Sequence, residues 1–296
     1  MDGFLNLNKP LGLTSHDCVA RVRRILKLKR VGHAGTLDPA ASGVLPIAIG
    51  RATRLLQYLN SDKVYRATVC FGMTTSTDDL EGEILSQAPA SQLTLAAIEQ
   101  VLPQFLGRIQ QIPPAYSAIQ VQGQRLYQLA RSGVAVEVPS REVEIYHIQV
   151  LDWQAGDYPK LALEINCGSG TYIRAIARDL GKVLQVGATL SQLQRTVSSG
   201  FAIPDAIDLV QLEQLVQQQQ LTFPPADQPL QHLPAIDLPE ALATRWRQGQ
   251  RLAWSNFVAQ PLRVYSQQQF LGITEVILVA GQPVLQPSMV YEPMVT

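Results

Sequence analysis

The stretch TFPPADQPLQHLP, residues 222–234, limits what the chain can build more than any other segment. Each proline fixes φ at about −65° and lacks an N–H, so neither a helix interior nor a central strand can run through it. It follows four consecutive glutamines, Gln217–Gln220, and separates a long N-terminal part from a short C-terminal one. Two domains are therefore expected, residues 1–230 and 231–296. The chain has 296 residues, 46% hydrophobic and 16% charged, enough for the longer part to bury a full core.

Before the connector, hydrophobic periodicity predicts alternating strands and helices. GFLNLNKP reads as a strand ending at a proline turn, with Thr14 or Ser15 capping a helix whose apolar stripe is Val19, Val22, Ile25 and Leu26. VLPIAIG, VYRATVCFGM, REVEIYHIQVLDW and KLALEINC read as strands, and Thr74 to Gly82 as an acidic turn region. Thr94 caps a second helix containing Leu95, Ile98, Val101, Leu102 and Phe105. GSGTYIRAIARDLG turns from strand to helix, and Leu209 to Leu221 forms another helix. The polar stretch IQQIPPAYSAIQVQGQRLYQLARSGV suits a core poorly and reads as a functional loop or hairpin, an insertion at about 112–140. After the connector, LPEALATRWRQGQ is a short helix among the strands PLRVYS, FLGITEVILVA and SMVYEP, a pattern that fits a small β-barrel. The fold class expected is α+β, a mixed or antiparallel sheet flanked by helices, with a small barrel at the C-terminal end.

Net charge is zero, but residues 1–66 carry 11 Lys/Arg against 4 Asp/Glu. Arg21, Arg24, Lys27 and Arg30 cluster on or just after the first helix, either as a solvated face or as a surface that follows phosphates. No run of about 18 apolar residues exists to span a membrane, and MDGFLNLNKP has neither the basic nor the apolar region of a signal peptide. A cytoplasmic protein with no membrane partner is the expectation. The three cysteines form no CxxC or Cys/His pair, and the four histidines are scattered, which leaves no metal site to propose.

The chemistry concentrates in VGHAGTLDPAASGVLP, residues 31–46, where Asp38 is a lone acid between Leu37 and Pro39. Taken alone, LDPAASG can be a turn in which an aspartate accepts backbone hydrogen bonds. Gly32, Gly35 and Gly43 would also let a ligand approach the backbone, with His33 and Thr36 adding polar groups. Neither GxxxxGK[ST] nor GxGxxG is present, so nucleotide binding of those kinds is not supported. No second carboxylate lies nearby for glycoside hydrolysis, and GxSxG and HExxH are missing. A single aspartate acting covalently or as a base remains, supported from elsewhere by Tyr65, Tyr172 and Arg174: aromatic faces stack on bases, and arginine is the natural partner of a partly buried carboxylate.

GFLNLNKPLGLTSHD, GHAGTLDPAASGVLPIAIGRATRL, KVYRATVCFG, QIPPAYSAIQVQGQRLYQLAR and GTYIRAIARDLG, in this order and spacing, resemble the TruB family of tRNA pseudouridine synthases, the stand-alone bacterial type acting on uridine 55 of the T loop. The resemblance covers essentially the whole chain. It implies that Asp38 is the nucleophile, that Tyr65 stacks on the target base and is a candidate for removing the C5 proton, and that Arg174 pairs with the aspartate. Tyr172 and Leu193 match pocket-lining positions, His33 a contact to the flipped nucleotide stack, and Lys9 with Pro10 a motif beside the active site. Gly35 belongs to the same substrate-binding loop. The insertion at 112–140, with Arg125, looks like a thumb closing over RNA, and the C-terminal module like a PUA domain. The implied partner is tRNA through its T-arm stem-loop, with no cofactor, no metal and no required protein partner; a monomer is expected. Departures are small: Ala34 where threonine is frequent, Ala40 where leucine is, and Ser169 where lysine often precedes GTYIR.

Overall fold

Short alternating apolar runs and well-capped helices dominate the N-terminal segment. The computed structural model describes residues 1–116, 120–121, 124–125 and 138–291. Strand β1 is Gly3–Lys9 and helix α1 is Ser15–Leu26, followed by β2 at Val31–His33 and β3 at Ala41–Ile49. Thr14 caps α1 in a reciprocal box: its hydroxyl accepts from the Asp17 N–H at 3.0 Å, and the Thr14 N–H donates to the Asp17 carboxylate at 3.0 Å. Val19, Val22 and Leu26 from the helix then bury with Leu5, Leu7, Leu45, Ile47 and Leu212. Two compact units result. One joins Met1–Asp38, Val44–Asn60 and the chain from Ser198 onward; the other joins Pro39–Gly43 to Ser61–Val197.

The second unit is a sheet with helices. Its elements are β4 (Lys63–Phe71), β5 (Met73–Thr75), β6 (Ile84–Gln87), α2 (Leu95–Val101), β7 (Gly107–Gln111), β8 (Gln120–Val121), β9 (Gln124–Arg125), β10 (Arg141–Gln154), β11 (Lys160–Cys167), α3 (Ile173–Val183) and β12 (Ala188–Ser198). Strands run in the order β12-β4-β11-β10-β7, and Ala41–Gly43 of β3 lies parallel to β12. The β4–β11 ladder is antiparallel and sets Tyr65 opposite Ile165 and Lys63 opposite Cys167. Leu161, Leu163, Ile165 and Cys167 alternate into the interior with no exposed surface, as their period of two requires. Helix α3 buries Ile173, Ile176, Ala177 and Leu180.

The polar stretch beginning at Ile109 departs from expectation at its start. Gln111 ends β7 and is only 2% exposed, because its side-chain amide satisfies both backbone groups of Tyr172: Nε2 donates to the carbonyl at 3.0 Å, and Oε1 accepts from the N–H at 2.8 Å. Of the expected insertion at 112–140, residues 117–119, 122–123 and 126–137 lie outside the described residues. Arg125 falls in the short β8–β9 hairpin, opposite Gln120.

The chain then returns to the first unit with β13 (Phe201–Ala202), α4 (Leu209–Gln217), β14 (Ala235–Asp237), α5 (Glu240–Arg247), β15 (Leu252–Ala253), β16 (Leu262–Ser266), β17 (Gln269–Val279) and β18 (Gln282–Val290). The last five strands form a sheet in the order β14-β16-β17-β18-β15. Trp246 of α5 is fully buried against Leu262, Val264, Leu271 and Leu285. The proline-rich connector packs as well: Ala226, Leu230 and Leu233 share a core with Phe4, Ala48, Leu55, Ile273 and Met289. Strand β18 starts earlier than the sequence suggests, because Pro283 and Pro287 pair with Leu278 and Thr274 in the ladder.

Candidate active site

The loop carrying Asp38 is held through its neighbour. Ser15, the first residue of α1 and 2% exposed, clamps Leu37 on both sides: its hydroxyl accepts from the Leu37 N–H at 2.8 Å and donates to the Leu37 carbonyl at 3.1 Å. Leu37 itself is buried, so the half-buried Asp38 leaves a fixed backbone position. Lys9 ends β1 fully buried, and its ammonium donates to the carbonyls of Pro10 at 2.9 Å and Leu13 at 2.7 Å, tying down the turn that leads into α1. His33 closes β2 edge-on to His16, with ring centroids 6.2 Å apart. Gly35 has φ +68° and is exposed, a conformation that suits glycine.

Gly43 has a different reason to be glycine than the one expected from sequence. A Cβ there would lie 2.2 Å from the Arg195 carbonyl oxygen, so the missing side chain serves the β3–β12 pairing instead of a ligand.

In the second unit, Arg174 sits in the first turn of α3, 5% exposed. Its guanidinium donates to the carbonyls of Thr77 and Tyr116, both at 3.0 Å, and approaches the Asp79 carboxylate at 3.5 Å. Asp79 is also buried; it accepts from the Thr77 hydroxyl and from the Glu81 N–H at 3.0 Å. One helical turn on, Arg178 bonds to Asp78 at 2.9 Å, Asp179 at 2.9 Å and the Ile112 carbonyl at 2.8 Å. Burial pushes the Asp78 carboxyl up, and the Arg178 charge partly offsets that. The acidic turn thus supplies two carboxylates to the arginines of α3. Tyr172 is the N-cap residue of α3 and is half-buried, as is Leu193 on β12.

Tyr65 on β4 is 6% exposed, and its hydroxyl accepts a hydrogen bond from Arg195, a β12 residue with no exposed surface. Reading the sequence alone misses Arg195, Asp79 and Gln111. The available signal was an arginine inside the strand pattern LSQLQRTVSS, at a position that alternation would make apolar. Arg21, Arg24, Lys27 and Arg30 are all exposed, as the basic-face expectation requires. Among the described residues, no three of His, Cys, Asp or Glu come together as a metal site would need.

Comparison with known proteins decides the family. Residues 23–173 match the N-terminal domain profile of TruB family pseudouridylate synthases, and residues 234–290 match the profile for pseudouridine synthase II TruB, C-terminal. A Nostoc protein named tRNA pseudouridine synthase B is 58% identical over 99% of this chain and 100% of its own length. The chain belongs to the TruB family of pseudouridylate synthases. A second TruB relative, also named tRNA pseudouridine synthase B, from Trichormus variabilis, is 57% identical over the same shares. Among solved structures, a Cbf5-Nop10-Gar1 complex matches with a TM-score of 0.75 at 25% identity, over 98% of this chain and 85% of that one. An H/ACA RNP bound to a substrate RNA containing 2′-deoxyuridine matches with a TM-score of 0.74 at 24% identity, which shows the shared fold. No described helix is long and apolar enough to cross a membrane.

Proposed function

We propose that the protein is a tRNA pseudouridine synthase, an isomerase that converts uridine 55 in the T loop to pseudouridine. The observation that carries this reading is the near-full-length likeness to proteins named tRNA pseudouridine synthase B. The clamped loop that presents Asp38 supports it. The reaction breaks the C1′–N1 bond, turns the uracil and joins C5 to C1′; a proton leaves C5 and one is gained at N1, with no net redox change. Nothing in that balance demands a cofactor.

A base inside a folded loop must leave its stack, at a cost of a few kcal/mol. In this reading Asp38 is the nucleophile, Tyr65 stacks on the base and takes the C5 proton, and Arg174 supports the aspartate. Tyr172, Leu193, His33, Gly35 and Lys9 line or brace the substrate site. Residues 1–230 serve as the catalytic domain, with a thumb at about 112–140, and 231–296 as a PUA-like RNA-binding domain. The exposed cations from Arg21 to Arg30 contact RNA phosphates, and Arg125 does so from the thumb. The enzyme works in the cytoplasm as a monomer without a protein partner.

Incubating the purified protein with a T-arm stem-loop and, separately, with free UMP tests the substrate class. Pseudouridine should form at position 55 of the stem-loop alone. Conversion of UMP at a comparable rate would point to a small-molecule enzyme.

A further inference from the structure

Arg195 is a fully buried arginine that hydrogen-bonds to the Tyr65 hydroxyl. An arginine only donates, so the phenol oxygen accepts and the phenol keeps its own proton for another partner or for release. Backbone on both flanks fixes the position. Arg195 pairs with Gly43 of β3, where no side chain could fit, and the next residue, Thr196, donates its hydroxyl to the Val64 carbonyl at 3.2 Å, beside Tyr65 on β4.

The Arg195 guanidinium on the phenol oxygen is the charge that favours an anion there. Lys63 lies two residues before Tyr65, and burial together with the Arg195 charge holds its ammonium below the usual lysine range. Cys167, opposite Lys63 in the ladder, is pushed up to about 11 by burial, against a hydrogen bond from Thr171 and the charges of Lys63 and Arg195, so it stays a neutral thiol. Asp62 acts on both Lys63 and Cys167. Burial lowers the Arg195 guanidinium from its ordinary value, and the Tyr65 hydroxyl opposes that shift.

We propose that Arg195 is a positioning residue that fixes the Tyr65 phenol oxygen and favours its phenolate form for removal of the C5 proton. This rests on the role given to Tyr65 above. In the step it serves, the C5–H bond breaks once C5 is joined to C1′ and its proton goes to the phenolate oxygen; the C5–H pair forms the C5=C6 double bond, the C6=N1 pair moves to N1, which takes a proton from water, and the hydroxide left takes the phenol proton, restoring phenolate and water.

Single-turnover rates on the stem-loop, followed by tritium release from C5-labelled uridine across neutral to alkaline pH, test it. Tyr65→Phe, Arg195→Lys, Arg195→Met and the double variant Arg195→Met/Tyr65→Phe are compared, with thermal melts as the folding control. Arg195→Met should lose about 10²-fold in rate, as for a displaced general base, with stem-loop affinity kept and the rate rising only at higher pH. Arg195→Lys should restore part of the rate and return the pH profile toward wild type. Adding Arg195→Met to Tyr65→Phe should cost little more than Tyr65→Phe alone. Wild-type rate and pH profile in either folded Arg195 variant overturn the inference alone, as does equal loss in both with an unshifted profile. If Arg195→Met does not fold, the Arg195→Lys profile decides. A fully active Tyr65→Phe overturns the underlying role of Tyr65, and this inference with it.

Discussion

Asp38 depends on a serine more than twenty residues earlier. Ser15 fills both hydrogen-bonding groups of Leu37, so the residue before the aspartate cannot rotate its peptide planes without breaking two buried bonds. Ser15→Ala should lower stability by about 1–3 kcal/mol in urea unfolding. With Asp38 as the proposed nucleophile, it should also slow turnover about tenfold at unchanged stem-loop affinity, because displacing that carboxylate loses near-attack geometry and each 1.4 kcal/mol is about a factor of ten. A wild-type rate in a destabilised Ser15→Ala would separate the clamp from the chemistry. Asp38 stands out in the sequence as a candidate, since it is a lone acid among glycines and polar groups. Arg195, Asp79 and Gln111 do not, because strand arginines and amides usually face water. Their burial is set by partners far along the chain: Gln111 meets Tyr172 across 61 residues, and Arg174 meets Thr77 across 97.

Helix α1 shows how one element can serve two ends. Its capping box and its buried stripe of Val19, Val22 and Leu26 fix one face, which leaves Arg21, Arg24 and, at its left-handed C-cap, Lys27 exposed. If these cations follow the RNA backbone, tRNA affinity falls steeply with salt. Replacing Arg21 and Arg24 by glutamine should then flatten the slope of log K against log salt by about one for each phosphate the helix no longer neutralises. An unchanged slope, measured by filter binding over a salt series, would return α1 to a solvated face. Elements of this kind were legible because caps and periodicity are local: Thr14 and Thr94 each cap the helix that follows. The helix after Asp208 stops at Gln217, short of the Leu221 expected, since glutamines alone give no apolar face to bury. The role of Gly43 was not legible, because the strand it packs on comes about 150 residues later.

At the scale of the whole chain, the proline-rich stretch marks a change in pattern and also anchors the C-terminal sheet. The Tyr265 hydroxyl donates to the Asp227 carboxylate, and Arg263 donates to the Tyr265 oxygen at 2.9 Å and to the Leu233 carbonyl at 3.0 Å. Asp227→Ala leaves the Tyr265 hydroxyl proton without its carboxylate acceptor and should cost about 1–3 kcal/mol. Burial and then Asp227 push the Tyr265 phenol up to about 12 from its ordinary value of 10.0. Its contribution to stability is therefore complete below pH 10 and lost as pH rises toward 12, and Asp227→Ala should soften that alkaline loss in pH-dependent melts. Sequence composition located this connector but could not show that Ala226, Leu230 and Leu233 bury with Phe4, because that pairing is made in three dimensions only. The most direct measurement of isomerisation by a single aspartate compares wild-type and Asp38→Asn proteins on one tRNA transcript, scoring pseudouridine at position 55 beside tRNA affinity. Unchanged affinity with no pseudouridine from Asp38→Asn is the predicted result, and wild-type turnover by that variant would contradict it.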